Sequence, residues 1–232
     1  MTVFVIVLIV SFALLAGAIW GAYGAMKPQT EGFLVAMAGG ALIVSVMDEL
    51  IRPATETAPL WIVVSAVALG AIVFTWSDYK VKARITNAGG LGLLLAVTLD
   101  GVPENLALGT ALIGSKPLEM AALAGSIFLS NLPEAAGGAK QMTSDGMARG
   151  KAVAIWAGTA ALLSAAALGG YFGLDQASNE TVAAIKCFAA GAVAASLATE
   201  VFPPAFRDDS YWTGIAVTCG LLMALLLGQL GG

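Results

Sequence analysis

Long apolar segments separated by short polar ones dominate this sequence. Windows of about 20 residues, the length that an α-helix needs to cross the hydrocarbon core of a bilayer, divide the chain into eight such segments. Turn-forming residues lie between them, for example Ser77 and Asp78 after the third. The eight predicted spans, numbered in chain order, cover residues 3–23, 32–52, 59–76, 90–114, 118–142, 151–172, 180–202 and 211–230.

Composition supports the same interpretation. Hydrophobic residues make up 59% of the 232 positions and charged residues 11%, and the mean hydropathy is +0.88. Because soluble domains carry about 25% charged residues, we predict an all-α integral membrane protein that forms one domain over residues 1–232. We expect it to lie in a lipid bilayer, to be no enzyme and to bind no nucleic acid.

Basic residues are distributed unequally between the loops. Cytoplasmic loops of membrane proteins are the more basic ones, so we place the richer set in the cytoplasm and both termini outside. The expected location is the cell (inner) membrane, as a multi-pass protein. The basic residues assigned to the cytoplasm are Lys27, Lys80, Lys82, Arg84, Lys140, Arg149, Lys151 and Arg207.

The second and seventh spans resemble each other. Residues 40–54 align without gaps with residues 191–205, and the alignment pairs Glu49 with Glu200. The two spans are five positions apart, an odd number, so they run through the membrane in opposite directions. Inverted repeats of this kind are typical of transporters. We therefore predict a 3+2+3 arrangement, in which spans 1–3 are repeated as spans 6–8 and spans 4 and 5 lie between them.

Two proline–glutamate pairs lie in the middle of the fourth and fifth spans. The fourth span reads Asp100-Gly-Val-Pro-Glu104, and the fifth reads Ser130-Asn131-Leu-Pro-Glu134. A charge at that depth costs at least about 2.5–3.5 kcal/mol on insertion scales. Each proline also removes one helical hydrogen bond and releases the carbonyl four residues earlier. A carboxylate beside a released carbonyl at membrane depth is how a hard-cation site is built.

The side chains of these two elements can meet at one site. Asp100 and Glu104 lie four residues apart on one helical face, as do Ser130 and Glu134, and Asn131 lies beside that face. A divalent cation would relieve the repulsion between the three carboxylates. We therefore predict these five residues as metal ligands. The alternative is a structural cluster of protonated acids that braces two kinked helices. It is disfavoured because no lysine or arginine lies at that depth to neutralise the acids otherwise.

Three further acids lie near the ends of spans. Asp48 and Glu49 lie near the outer end of the second span, and Glu200 lies near the inner end of the seventh. These places suit a relay for cation entrance and exit. Acids at a membrane interface that merely reach water fit the same places equally well.

The two proline–glutamate elements resemble the signatures of the ZIP family of divalent metal-ion transporters, in its short prokaryotic GufA-like branch. That family carries H-N-x-P-E-G-L-A-x-G in its fourth span and [HQ]-[ND]-x-P-E-G in its fifth. This chain reads Asp100-Gly-Val-Pro-Glu-Asn-Leu-Ala-Leu-Gly109 and Ser130-Asn-Leu-Pro-Glu-Ala135. The resemblance implies transport of divalent metal ions into the cytoplasm through movement between helix groups. It implies zinc, iron or manganese as the usual substrates and no cofactor, and it is compatible with a homodimer.

The departures from the family pattern concern the ligands. The chain contains no histidine. Asp100 stands where the family has its fourth-span histidine, and Ser130 stands where the family has histidine or glutamine in its fifth span. The sixth span carries no acid near Leu163, where many members have a ligand for a second metal. Imidazole suits Zn²⁺, whereas carboxylate, amide and carbonyl oxygens suit Mg²⁺, Ca²⁺ and Mn²⁺, although Zn²⁺ still accepts carboxylates. We therefore expect a divergent member with one site and a broad range of divalent ions. Transport tuned to Mn²⁺ or Fe²⁺, or a non-transporting scaffold or regulator with a degenerate site, are the alternatives.

Overall fold

The computed structural model describes residues 2–24, 27–84, 89–113, 120–174, 176–208 and 211–231. Helices account for nearly all of these residues, and none of the described residues forms a β-strand. The prediction of an all-α fold is therefore confirmed. The helices are α1 (Thr2–Tyr23), α2 (Pro28–Ser45), π1 (Val46–Ile51), α3 (Arg52–Thr57), α4 (Leu60–Arg84), α5 (Gly89–Ala111), α6 (Ala121–Ser144), α7 (Arg149–Leu174), α8 (Asn179–Ser196), π2 (Leu197–Val201), α9 (Phe202–Asp208) and α10 (Thr213–Gly231), where π1 and π2 are π-helical turns.

The two π-helical turns each join two α-helices into one continuous rod. One rod consists of α2, π1 and α3, and the other of α8, π2 and α9. Over the described residues the helices therefore form eight rods, one for each predicted span. Five of the rods contain a segment that is long and apolar enough to cross a membrane: Val3–Tyr23, Pro28–Thr57, Leu60–Ala83, Arg149–Leu174 and Asn179–Arg207.

Local signals set several helix starts. Pro28 is the first residue of α2, where its missing amide hydrogen is no loss because the first turn has no intrahelical acceptor for it. Ser178 precedes α8, and its side chain accepts a hydrogen bond from the backbone N–H of Thr181 at 3.2 Å. This is the usual N-cap arrangement.

The helix α4 is longer than its sequence predicts. Ser77 and Asp78 were expected to form a turn, followed by a short basic loop up to residue 89, but the helix continues to Arg84. Asp78 is buried and forms an ion pair with Lys82, one turn later, at 3.1 Å. A pair with this spacing stabilises the helix that carries it. The prediction of a turn was wrong. Asp78 and Lys82 are polar, as turn residues usually are, but here they lie within a helix and against a neighbouring one.

The helices pack in matched pairs. Helix α1 lies along α6, and α5 lies along α7; α2 lies along α10, and α4 lies along α8. Helices α5 and α6 contact each other and connect the two sets, since α6 also contacts α2 and α5 also contacts α8. Exchanging α1 with α7, α2 with α8, α4 with α10 and α5 with α6 reproduces this whole set of contacts.

Glycines set the closest approach of α2 and α10. A Cβ atom added to Gly40 of α2 would come within 3.0 Å of the backbone carbonyl oxygen of Val217 in α10. A Cβ added to Gly220 of α10 would collide in the same way with the carbonyl oxygen of Met37 in α2. The two backbones therefore touch at these positions, as small residues allow between apolar helices.

The same contact recurs between α8 and α4. Gly191 of α8 lies against the backbone carbonyl of Val67 in α4, and Gly70 of α4 lies against that of Phe188 in α8. Met37 and Phe188 precede Gly40 and Gly191 by three residues, and Val217 and Val67 precede Gly220 and Gly70 by the same number. The packing of α2 on α10 is thus repeated, residue for residue, in the packing of α8 on α4.

The π-helical turns occupy equivalent places in the two rods. The backbone N–H of Arg52 donates to the carbonyl of Met47, five residues earlier, and that of Phe202 donates to the carbonyl of Leu197. The second turn has 5 residues rather than 6. The alignment places Pro203 opposite Arg52, and proline has no amide hydrogen with which to extend the turn.

Helices α5 and α6 lie at the centre of the described structure. One apolar cluster contains Leu108 of α5 and Ile127 of α6 and extends to α2 and α8. The other contains Val97 of α5 and Ala139 of α6 and extends to α1 and α7. Both helices that carry the predicted metal ligands are therefore surrounded by other helices.

The glycine contacts predict a strong position dependence for glycine-to-alanine substitutions. We expect Gly40→Ala and Gly191→Ala each to destabilise the protein by about 1–3 kcal/mol, because the added methyl group meets backbone that cannot move aside alone. The control is Gly158→Ala, where the added Cβ has no neighbour within 4 Å and removing a helical glycine is favourable by up to about 1 kcal/mol. Melting temperatures in one detergent measure the difference. Equal melting temperatures for all three variants would contradict the packing described here.

Candidate metal site

The two prolines of the predicted site lie inside helices that contact each other. Pro103 lies within α5 and Pro133 within α6, and neither helix is broken there. Because proline has no amide hydrogen, neither residue can donate to the carbonyl four residues earlier, which belongs to Leu99 in α5 and to Leu129 in α6. The structure therefore brings both proline–glutamate elements onto adjacent helices with a carbonyl oxygen freed from the helical pattern in each.

Most of the predicted ligands are withdrawn from the surface. Glu104 is 4% exposed, Ser130 2% and Asn131 1%, and Glu134 is half-buried. A carboxylate removed from water to this extent must be protonated, hydrogen-bonded or bound to a cation. The burial of Glu104 among apolar helices is the feature of the site that most demands a chemical explanation.

The hydrogen bonds of Ser130 and Asn131 leave donor and acceptor capacity in the site. The Ser130 hydroxyl donates to the carbonyl of Ile127 at 3.1 Å, which leaves the lone pairs of its oxygen available to a cation. The Nδ2 amide of Asn131 has no hydrogen-bond partner among the described residues. A buried amide without a partner costs about 1–3 kcal/mol. It fits a place where a further bound species, such as a water or a hydrated ion, completes the hydrogen bonding.

Asn105 is a residue of this region that the sequence analysis did not single out. It is 1% exposed, and its side-chain amide donates to the carbonyl of Gly101 at 2.9 Å, within α5. Gly101 itself lies against the side chain of Leu163 in α7, so that a Cβ at this position would overlap it. Asn105 thus stabilises the helix around Pro103. Its place directly after the proline–glutamate pair is the feature of the sequence that could have indicated this role.

The third predicted carboxylate falls partly outside the described structure. Asp100 lies in α5, one turn before Glu104, but its side chain is outside the described residues. Among the side chains that the structure does describe, no group of three or more His, Cys, Asp and Glu residues lies close enough to hold a metal ion. That Asp100 joins Glu104 and Glu134 around one ion therefore stays a prediction.

No family model and no curated protein matches this chain. The resemblance to the ZIP family therefore stays a prediction, which rests on the two proline–glutamate elements.

Two of the predicted relay acids form ion pairs. Glu200 of π2 pairs with Lys82 of α4 at 2.5 Å, and the same ammonium group pairs with Asp78. Asp48 of π1 pairs with Arg52, one turn later, at 3.0 Å. The sequence analysis missed Lys82 and Asp78 as partners of Glu200, although their spacing of four residues was a signal that they share a helical face.

A further carboxylate approaches α6 from α2. Glu31, in the first turn of α2, lies so close to Gly137 of α6 that a Cβ added to Gly137 would overlap the Glu31 carboxylate. Gly137 lies three residues after Glu134 and therefore on the same face of α6. The glycine lets an acid of a neighbouring helix lie one turn from a predicted ligand, and no pattern in the sequence links Glu31 to that position.

The two ion pairs predict different sensitivities of the fold. Lys82→Ala leaves two carboxylates close together, one of them on the buried Asp78, and breaking a buried pair from one side is strongly destabilising. We expect Lys82→Ala to lower the free energy of unfolding by about 1–3 kcal/mol, which is less than for a fully buried pair, because Lys82 itself reaches solvent. Arg52→Ala, the control, breaks an exposed pair of the same spacing and should cost less than about 1 kcal/mol. Thermal unfolding in detergent compares them, and a larger loss for Arg52→Ala would refute this assignment of the two pairs.

Proposed function

We propose that this chain is a membrane transporter for divalent metal cations and that its cation site lies between α5 and α6. The observation that carries the proposal is the burial of Glu104 directly after Pro103, on a helix that contacts α6, which carries the equivalent proline–glutamate element. An apolar protein has little reason to bury a carboxylate in the turn where it also loses a backbone hydrogen bond. A cation that binds the carboxylate and the freed carbonyls together supplies that reason.

Several features support the placement in a membrane. Five long apolar helices lie among the eight rods, and exposed side chains of α4 such as Trp61, Ile72 and Trp76 are those that lipid accommodates. In this proposal the eight rods cross the bilayer in the 3+2+3 arrangement, with both termini outside. The matched glycine contacts of α2 with α10 and of α8 with α4 support an inverted repeat.

The ligands of the cation are oxygen atoms throughout. Glu104 and Glu134 supply carboxylates from facing helices, Ser130 and Asn131 supply neutral oxygens, and Asp100 completes the set from the turn before Glu104. Such a donor set suits Mn²⁺ and other hard divalent ions better than a histidine site does, while Zn²⁺ still accepts carboxylates. The cation is cargo here, so the site must release it as well as bind it.

Release on the opposite side requires the two sets of helices to move relative to each other. The first set is α1, α5, α6 and α7, which carries the cation ligands; the second is α2, α4, α8 and α10. The contacts between α6 and α2 and between α5 and α8 include a large cluster of buried apolar side chains. Apolar surfaces can slide without breaking directional bonds. Asp48 and Glu49 on one side and Glu200 on the other then lie near the two ends of the cation's path.

The central test is metal binding and transport by carboxamide variants. We expect Glu104→Gln and Glu134→Gln each to lower Mn²⁺ affinity by more than about 100-fold, because loss of even an indirect partner of a ligand costs 10–100-fold. Uptake into proteoliposomes should fall with it. Calorimetry on the purified protein and uptake across a panel of divalent ions measure the two effects.

The control for these variants is Glu56→Gln, which changes an exposed glutamate of α3. It should bind and transport as the unaltered protein does. Metal binding without uptake by the unaltered protein would favour the scaffold or regulator function. Absence of both would overturn the proposal.

The donor set also predicts the effect of restoring a histidine. Asp100→His adds an imidazole, which favours Zn²⁺ over Mn²⁺, so we expect the uptake ratio of Zn²⁺ to Mn²⁺ to rise by about 10-fold or more. Competition uptake with both ions measures the ratio, and Asp145→His at the exposed end of α6 is the control. A strong Zn²⁺ preference in the unaltered protein that Asp100→His leaves unchanged is the result that would contradict an all-oxygen site.

A further inference from the structure

A polar cavity lies between π1 and the ends of α6 and α10, away from the site between α5 and α6. Its volume is about 190 Å³. Ser45, Asp48 and Glu49 line it from the first rod, and Gln229 lines it from α10. Carboxylate, hydroxyl and amide groups thus converge on one cleft that is partly open to the surface.

Among the described residues that line the cavity, Ser45 has a buried hydroxyl group whose hydrogen bonding is not satisfied by the protein. Its side chain is 1% exposed, and its hydroxyl oxygen has no hydrogen-bond partner among the described residues. Buried hydroxyl groups are normally hydrogen-bonded. Because Ser45 lines the cavity, a polar occupant of the cavity is in position to supply the bond.

The charges that line the cavity favour a cation as that occupant. Asp48 and Glu49 contribute two carboxylates, and Arg52 contributes one guanidinium, which pairs with Asp48. The Arg52 side chain is 69% exposed, and an ion pair so open to solvent binds weakly. Lys186 of α8 acts electrostatically on Glu49 but lines a different pocket. The lining residues therefore carry an excess negative charge.

The other repeat shows what fills the equivalent place. Glu200, the counterpart of Glu49, is bound there by the ammonium group of Lys82, which Asp78 also holds. The equivalence of α4 with α10 places Gly228 opposite Asp78, and Gly228 lines the cavity. At the position where α4 has the acid Asp78, α10 thus has Gly228, beside the polar cavity.

We propose that this cavity binds a hydrated divalent cation. At about 30 Å³ per water, its volume corresponds to about six water molecules, so a cation can enter with most of its hydration shell. Asp48, Glu49 and Gln229 then act mainly through the water ligands, and Ser45 bonds to one of them. If this cation is the cargo, the cavity is its first binding site on the outer side. Only that identification rests on the proposed function.

The test uses Mn²⁺ and a protein whose central site has been disabled. In the double variant Glu104→Gln with Glu134→Gln, electron paramagnetic resonance of free Mn²⁺ should show about one weak site per chain, with a Kd of about 10⁻⁴–10⁻³ M as in open oxygen sites. Adding Gly228→Lys should weaken that site by at least 10-fold, because its ammonium group would place a positive charge beside the cavity. A Cβ at Gly228 has no neighbour within 4 Å, so the position accepts a side chain.

The matched control is Gly228→Met, which adds similar bulk without charge and should change the Kd by less than about 3-fold. Ser45→Ala should weaken Mn²⁺ binding by a smaller factor than Gly228→Lys. A double variant that binds no Mn²⁺ up to 10-fold above the expected Kd would overturn the inference while leaving the central site intact. Equal loss with Gly228→Met and Gly228→Lys would overturn it as well. A chain with intact Glu104 and Glu134 that binds no Mn²⁺ at all would instead refute the proposed function.

Discussion

Contact between helix backbones at glycines is the constraint on which the rest of this structure depends. Where Gly40 meets α10 and Gly191 meets α4, no side chain separates the two helices, so each pair is fixed in one register. The same close approach occurs where Gly17 of α1 lies against α6 and Gly109 of α5 lies against α7. These contacts leave α5 and α6 enclosed by other helices. Glu104 on α5 is consequently buried, and burial is what gives its carboxylate chemical significance.

The two halves share a backbone arrangement but differ in the charged side chains around their π-helical turns. Both place a glutamate in a π-helical turn, and a π turn displaces one residue from the regular helical pattern, which is common at functional sites. In one half Lys82 neutralises Glu200, and in the other Glu49 lines a cavity. The two π-helical turns therefore differ in the charged groups around them, although their backbones are equivalent.

Much of this fold follows from patterns that a sequence displays directly. Eight apolar windows predicted eight helical rods, and the gap-free alignment of residues 40–54 with residues 191–205 predicted the equivalence of their contacts. The extension of α4 through Asp78 was missed because its stabilisation depends on burial against another helix. For the site, local spacing predicted the burial of Glu104, Ser130 and Asn131. Spacing within one helix does not show which other helix packs against it. The contact of Glu31 with Gly137 could therefore be seen only in the tertiary structure.

The most direct measurement is a crystal structure of the protein soaked with Mn²⁺, with anomalous scattering used to locate the ion. The account predicts one strong peak between α5 and α6, bonded to a carboxylate oxygen of Glu104 and to one of Glu134, with oxygen atoms as its only ligands. A peak elsewhere with none at this place, or an ion bonded to only one of these two carboxylates, would contradict it.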